Sequence, residues 1–98
     1  MAVGRQVTVR LPAALRGRAG DRSTVDVEVP DGATLADLLD VLAARYPGLE
    51  RRLRDERREL RRYVNFFVDG QECRRLDGAA TPLREAAEIQ IIPSVAGG

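Results

Sequence analysis

The chain closes as Ile91-Ile92-Pro93-Ser94-Val95-Ala96-Gly97-Gly98, and the two glycines are where residue type and position point most directly to chemistry. Side chains dwindle along this run until none is left. Glycine has no Cβ, reaches positive φ at little cost and lets the backbone approach another surface closely. Such an ending suits a narrow slot on a partner, entered carboxylate first, with Gly97, Ala96 and Val95 following and Val95 anchoring at the slot mouth. Five residues from Ser94 to Gly98 span at most about 17 Å when extended. A frayed terminus has the same composition, so the tail by itself leaves both readings open.

What the chain lacks narrows the chemistry further. It has no histidine and a single cysteine, Cys73. The usual zinc ligand sets are therefore excluded, and no metal site is expected. Ser-His-Asp and Cys-His catalysis are excluded too, as is a histidine pH switch. Tryptophan is absent, and the aromatics are two tyrosines and two phenylalanines, poor material for stacking bases. Every basic residue is an arginine. Schiff-base chemistry is thus ruled out, and the chain offers no side-chain amine to an isopeptide bond. If it is conjugated at all, it is the donor.

The lone cysteine precludes an internal disulfide and agrees with a reducing compartment. No apolar run is long enough to span a membrane, and Met1 to Arg10 has no signal-peptide character. A cytoplasmic protein without membrane or nucleic-acid partners is the expectation. Ninety-eight residues make one domain with a small core.

Residues 51–62 carry seven arginines against Asp55, Glu56 and Glu59, a net charge of +4 in a chain whose total is +1. One reading is docking on an acidic partner through Arg57, Arg58 and Arg61. The simpler one is a solvated helical face laced with pairs such as Arg52 with Glu56 and Glu59 with Arg62. Cys73, beside Arg74 and Arg75, reads as a bystander thiol on a short strand.

The elements that must position the tail follow from periodicity. Val7, Val9 and Leu11 alternate with Thr8 and Arg10, a half-buried strand over 6–11. Residues 12–22 read as a loop. Val25, Val27 and Val29 alternate with Asp26 and Glu28, so 24–29 is a second strand that pairs antiparallel with the first. Pro30-Asp31-Gly32 turns the chain. Thr34 then caps a helix whose Leu35, Leu38, Leu39 and Leu42 form one apolar stripe, and Pro47-Gly48 stops it. Residues 49–62 read as a short helix or helical turns. Val64, Phe66 and Val68 alternate on a strand over 63–68, which leaves Phe67 on the opposite face as a candidate partner contact. Asp69-Gly70 is a type I′ hairpin signal, returning into a strand over 71–76. Residues 88–93 form the last strand and deliver the tail. Two strands, a helix and three further strands make an α+β sheet with a helix across one face.

This order, with its terminal diglycine, resembles the MoaD/ThiS family of ubiquitin-like sulfur-carrier proteins. Three segments carry the resemblance. Asp31-Gly32-Ala33-Thr34-Leu35-Ala36-Asp37-Leu38-Leu39 is similar to the family's entry to its long helix. Val64-Asn65-Phe66-Phe67-Val68-Asp69-Gly70 is similar to its central hairpin, and the run from Ile91 to Gly98 to its last strand and tail. Within the family, Arg61-Arg62-Tyr63-Val64-Asn65 and Arg75-Leu76-Asp77-Gly78 are most like the actinobacterial branch that supplies sulfur for cysteine synthesis.

The resemblance implies a β-grasp fold: a mixed sheet of four to five strands, one main helix across it, a domain over 1–93 and a flexible tail over 94–98. It implies a carrier and not an enzyme, with no bound cofactor. An E1-like adenylating enzyme would use ATP to activate the Gly98 carboxylate, and sulfur would then replace AMP to give a thiocarboxylate. The sulfur would pass to an accepting enzyme, a PLP-dependent synthase or a natural-product enzyme, with a metalloprotease as a possible further partner. Open beside this stand a small molybdopterin-synthase-type subunit, a protein modifier joined to targets through Gly98, and an inert β-grasp module.

Overall fold

The computed structural model describes residues 4–94. Five strands form one mixed sheet: β1 (Gly4–Arg10), β2 (Thr24–Pro30), β3 (Val64–Val68), β4 (Gln71–Glu72) and β5 (Glu88–Pro93), in the order β2-β1-β5-β3-β4. β1 and β2 pair antiparallel, with Val7 opposite Val27 and Val9 opposite Val25. β5 lies parallel to β1 and antiparallel to β3. The C-terminal strand is therefore central, paired on both sides.

One face of the sheet holds the core. Val7, Val9, Val25, Val27, Phe66, Ile89 and Ile91 are buried on it. Against them lies α2 (Leu35–Arg45), whose Leu35, Leu38, Leu39 and Leu42 are the buried stripe. The Thr34 cap is a full capping box: its hydroxyl accepts from the Asp37 N–H, and the Asp37 carboxylate accepts from the Thr34 N–H at 2.9 Å. Two otherwise unpaired donors at the helix start are thereby satisfied. These elements match the α+β architecture expected from the alternating and helical patterns.

Four local expectations change. Residues 12–22 are not wholly loop, because Ala13–Arg16 forms a one-turn helix, α1, that buries Leu15. Pro47 does more than end α2. It is the first residue of α3 (Pro47–Leu53), which buries Leu49 and Leu53, since proline's fixed φ suits a helix's first turn as well as it ends the preceding one. The chain beyond Arg54 is irregular up to an isolated bridge between Arg54 and Leu60. The strand expected over 71–76 lasts two residues before a 3₁₀ turn, Cys73–Arg75. No helix among the described residues is long and apolar enough to cross a membrane.

Candidate functional site

The four residues Val95, Ala96, Gly97 and Gly98, on which the tail chemistry would rest, lie outside the described residues. What the fold does define is their root. Val64 pairs with Pro93 across the β3–β5 ladder. Proline has no N–H to give a ladder, yet pairing runs one residue past Pro93: the Ser94 N–H donates to the Tyr63 carbonyl at 2.6 Å. The Asn65 side-chain amide donates to the Ser94 hydroxyl at 3.0 Å. Arg74 holds the adjoining turn by donating to the carbonyls of Arg61 at 3.0 Å and Val64 at 3.2 Å. Ser94, the last described residue, is thus clamped at the end of the sheet's central strand.

The open face of the sheet adjoins that root. Phe66 is fully buried, and Phe67 is half-buried on the opposite face, as alternation required. Phe67 pairs with Gln90, and Asn65 with Ile92. Ile92 is 39% exposed, so Phe67 and Ile92 occupy diagonal positions on one face. They form an apolar spot within an otherwise polar surface beside the exit of the tail.

The arginine-rich stretch separates into three parts. Arg54 is buried at 3% exposure, a role its composition did not signal. Its Nε donates to both Glu50 oxygens at 3.0 Å, and its terminal nitrogen donates to Asp40 at 2.9 Å. Burial works against its charge, but the bonds and attraction from Glu50 and Asp40 prevail and raise its pKa. Arg57 and Arg58 are exposed, and Arg58 bonds Asp40 at 3.2 Å. Arg61 lies elsewhere, at the tail root, with its Nε on the Arg51 carbonyl at 2.8 Å. The expected pairs Arg52–Glu56 and Glu59–Arg62 do not appear among the described residues, because the helix ends at Leu53 and the i,i+4 geometry ends with it.

Cys73 is buried on the 3₁₀ turn, not on a strand. Burial first, then the hydrogen bond to Glu72, pushes its thiol up to about 11. It is a protonated core side chain at neutral pH and no nucleophile.

Sequence reasoning missed several residues at the tail root. Asn65, Tyr63 and Ser94 meet there because β3 and β5 are neighbours, and Arg18 arrives from the loop after α1. Strand adjacency could in principle have been guessed from the final strand's apolar character, but nothing local marks Arg18.

Comparison with known proteins bears on this arrangement. A model of the ThiS family matches residues 9–98. The sulfur carrier protein CysO of Mycobacterium tuberculosis H37Rv is 35% identical over 94 residues, covering 94% of this chain and 98% of its own length. Small archaeal modifier protein 3 of Haloferax volcanii is 37% identical over 93 residues, covering 95% and 99%. A chain in the crystal structure of the Amycolatopsis orientalis BexX/CysO complex superposes with a TM-score of 0.82 at 32% identity, covering 94% of this chain and 99% of that one. The expected ubiquitin-like β-grasp architecture is thereby established along nearly the whole chain.

Proposed function

This chain belongs to the ThiS family of ubiquitin-like sulfur carriers, and from that premise we propose that it carries sulfur as a thiocarboxylate on Gly98, as the co-substrate of other enzymes. A carboxylate with a reference pKa of roughly 3.5 is ionised at neutral pH and is a poor electrophile. An E1-like enzyme joins it to the α-phosphate of ATP, releasing pyrophosphate. Sulfur then attacks the acyl carbon, and AMP leaves with the bonding pair. The resulting thiocarboxylate is a soft nucleophile on a protein handle. It passes its sulfur to an accepting enzyme, a PLP-dependent synthase or a natural-product enzyme, in a reducing, cytoplasmic setting. In this scheme residues 1–93 are the handle and 94–98 the reactive arm.

The observation that supports the reading is the central, doubly paired β5, clamped at Ser94, beyond which four residues remain to Gly98. Gly97 and Gly98 let the arm pass where side chains would clash. Val95 and Ala96 fill the slot mouth, and Phe67 with Ile92 offers the partner an apolar footing. Likeness to CysO favours the cysteine branch of the chemistry. A modifier joined through Gly98 to lysines of other proteins is the second reading, favoured by the equally extensive likeness to small archaeal modifier protein 3.

Intact mass spectrometry separates them. The chain is incubated with an adenylating enzyme, ATP and a sulfide donor. Exchange of one oxygen for sulfur at the terminus is the expected result. Adducts on other proteins with no such exchange would favour the modifier instead, and an unchanged mass would sink both.

A further inference from the structure

Four arginines from separate parts of the sequence converge where β5 ends. Arg18 follows α1, Arg51 and Arg52 lie on α3, and Arg61 precedes β3. With Tyr63 and Ser94 they line an open groove of about 840 Å³. All four arginines are exposed, and Tyr63 is 57% exposed. Of the twelve arginines outside the groove, six form an ion pair with a carboxylate: Arg5, Arg10, Arg54, Arg58, Arg74 and Arg84. Among the described residues none of the groove's four does, and no Asp or Glu lines the groove. The chain as a whole carries only +1, so this concentration of one sign is local and not a reflection of net charge.

Like charges gathered without counter-charges repel, and a fold that keeps them presents a field to be met from outside. Arginine's planar fork matches carboxylates two bonds at a time. The groove also has a fixed relation to the tail. Ser94 lines it, and four more residues reach at most about 14 Å. Whatever fills the groove stands beside the place where the carboxylate is processed.

We propose that the groove receives an acidic segment, a loop or strand with several aspartates or glutamates, of the adenylating enzyme that activates the tail. The proposal rests on the sulfur-carrier reading above. Docking there brings the enzyme to the root of the tail before the terminus enters its pocket, and the long-range field speeds the encounter. A polypeptide fits better than a nucleic acid, because Tyr63 is the one aromatic ring on the groove and sequence-tolerant strand binding relies on successive stacking platforms.

The test pairs two full-length variants with equal change in formal charge. R51E/R52E reverses the groove, and R22E/R45E reverses two exposed arginines outside it. Fluorescence anisotropy measures binding of each to the adenylating enzyme of the same organism without ATP, over a range of salt. ATP–pyrophosphate exchange is followed in parallel. R51E/R52E should bind roughly tenfold or more weakly, with a shallower salt dependence, while R22E/R45E stays close to wild type, as expected for groups remote from an interface. In exchange, KM for the carrier should rise and kcat hold. Thermal melts check that both variants stay folded.

Equal weakening by the two variants overturns the proposal, as does a wild-type chain that fails to bind the enzyme at all. It is also overturned if a single-stranded oligonucleotide binds wild type and loses R51E/R52E while the enzyme does not discriminate. Groove-dependent binding of the enzyme with no exchange supports the docking surface and removes the sulfur-carrier reading, so the two failures are told apart.

Discussion

Arg54 shows how a residue can be hidden in plain composition. It is one of seven arginines within twelve positions, and all seven look alike as text. Glu50 lies one helical turn before it, a spacing the sequence displays, but Asp40 sits on α2 and meets it only because the chain folds back at Pro47. Buried at 3% exposure, Arg54 ties α2 to α3 through two carboxylates. Removing it leaves Glu50 without this donor and Asp40 with Arg58 alone, and breaking a buried hydrogen-bonded charge costs about 2–3 kcal/mol, at the lower end because the carboxylates keep contact with water. R54A should therefore lower the free energy of unfolding by that amount, seen as a lower urea midpoint at unchanged slope. R54K should recover less than half, since an ammonium cannot present a planar fork to two partners. Equal stability of R54A and wild type would make the network ornamental. Cys73 illustrates the opposite case: its inert role was legible from the absence of histidine and lysine, although its burial was not.

At the scale of elements, turns and strongly periodic segments were readable and short irregular ones were not. Asp69-Gly70 announced its hairpin, and both residues adopt positive φ, 49° and 87°, the conformation a type I′ turn demands. The strand after it could not be sized, because Cys73 buries its side chain by turning into a 3₁₀ helix, which the alternating pattern cannot foresee. Asp69 also does work beyond the turn. Its two oxygens accept from the Glu88 N–H and from Arg84, both at 2.9 Å, pinning the β3–β4 hairpin to the start of β5. Partial burial favours the neutral acid, but the bonds from Glu88 and Arg84 prevail and hold its pKa below the usual range. A folded pKa below the unfolded one means that the stabilisation is present above the unfolded value, roughly 3.9, and is lost as pH falls through the folded value. Asparagine tolerates the left-handed backbone, so D69N isolates the charge. It should be less stable than wild type by about 1 kcal/mol at pH 7, as expected for bonds to an ionised group. Urea titrations repeated at pH 7, 4 and 3 should show that difference shrinking with acid. A difference that holds constant with pH would assign the effect to the backbone and not to the carboxylate.

At the scale of the molecule, the sequence marked the principal strands and the main helix, and the structure supplied the order in which the strands pair. Nothing in an alternating pattern states that the last strand inserts between the first and the third. That parallel pairing of β1 with β5 is a contact between the two ends of the chain, invisible locally, and it seats Ser94 at the end of the sheet's central strand. Ser94 is hydrogen-bonded to both Tyr63 and Asn65, so residue count sets the greatest reach from this clamp to the terminus. A carrier that works by placing its final carboxyl carbon at another enzyme's phosphate-transfer site must be sensitive to that count. One alanine added after Gly98 moves the carboxylate by about 3.5 Å and places a methyl group where only backbone fits. A displacement of that size at a reacting centre is enough to cost a hundredfold or so in rate. The extended chain should fold with an unaltered melt and still bind its adenylating enzyme, because the docking surfaces are untouched, while ATP–pyrophosphate exchange falls by at least two orders of magnitude. Deleting Gly98 should fail to the same degree from the opposite side. Full exchange activity in the extended chain, whose new terminus is itself a carboxylate, would mean that the activating enzyme does not gauge the distance from Ser94, and the position of Gly98 would carry no special role.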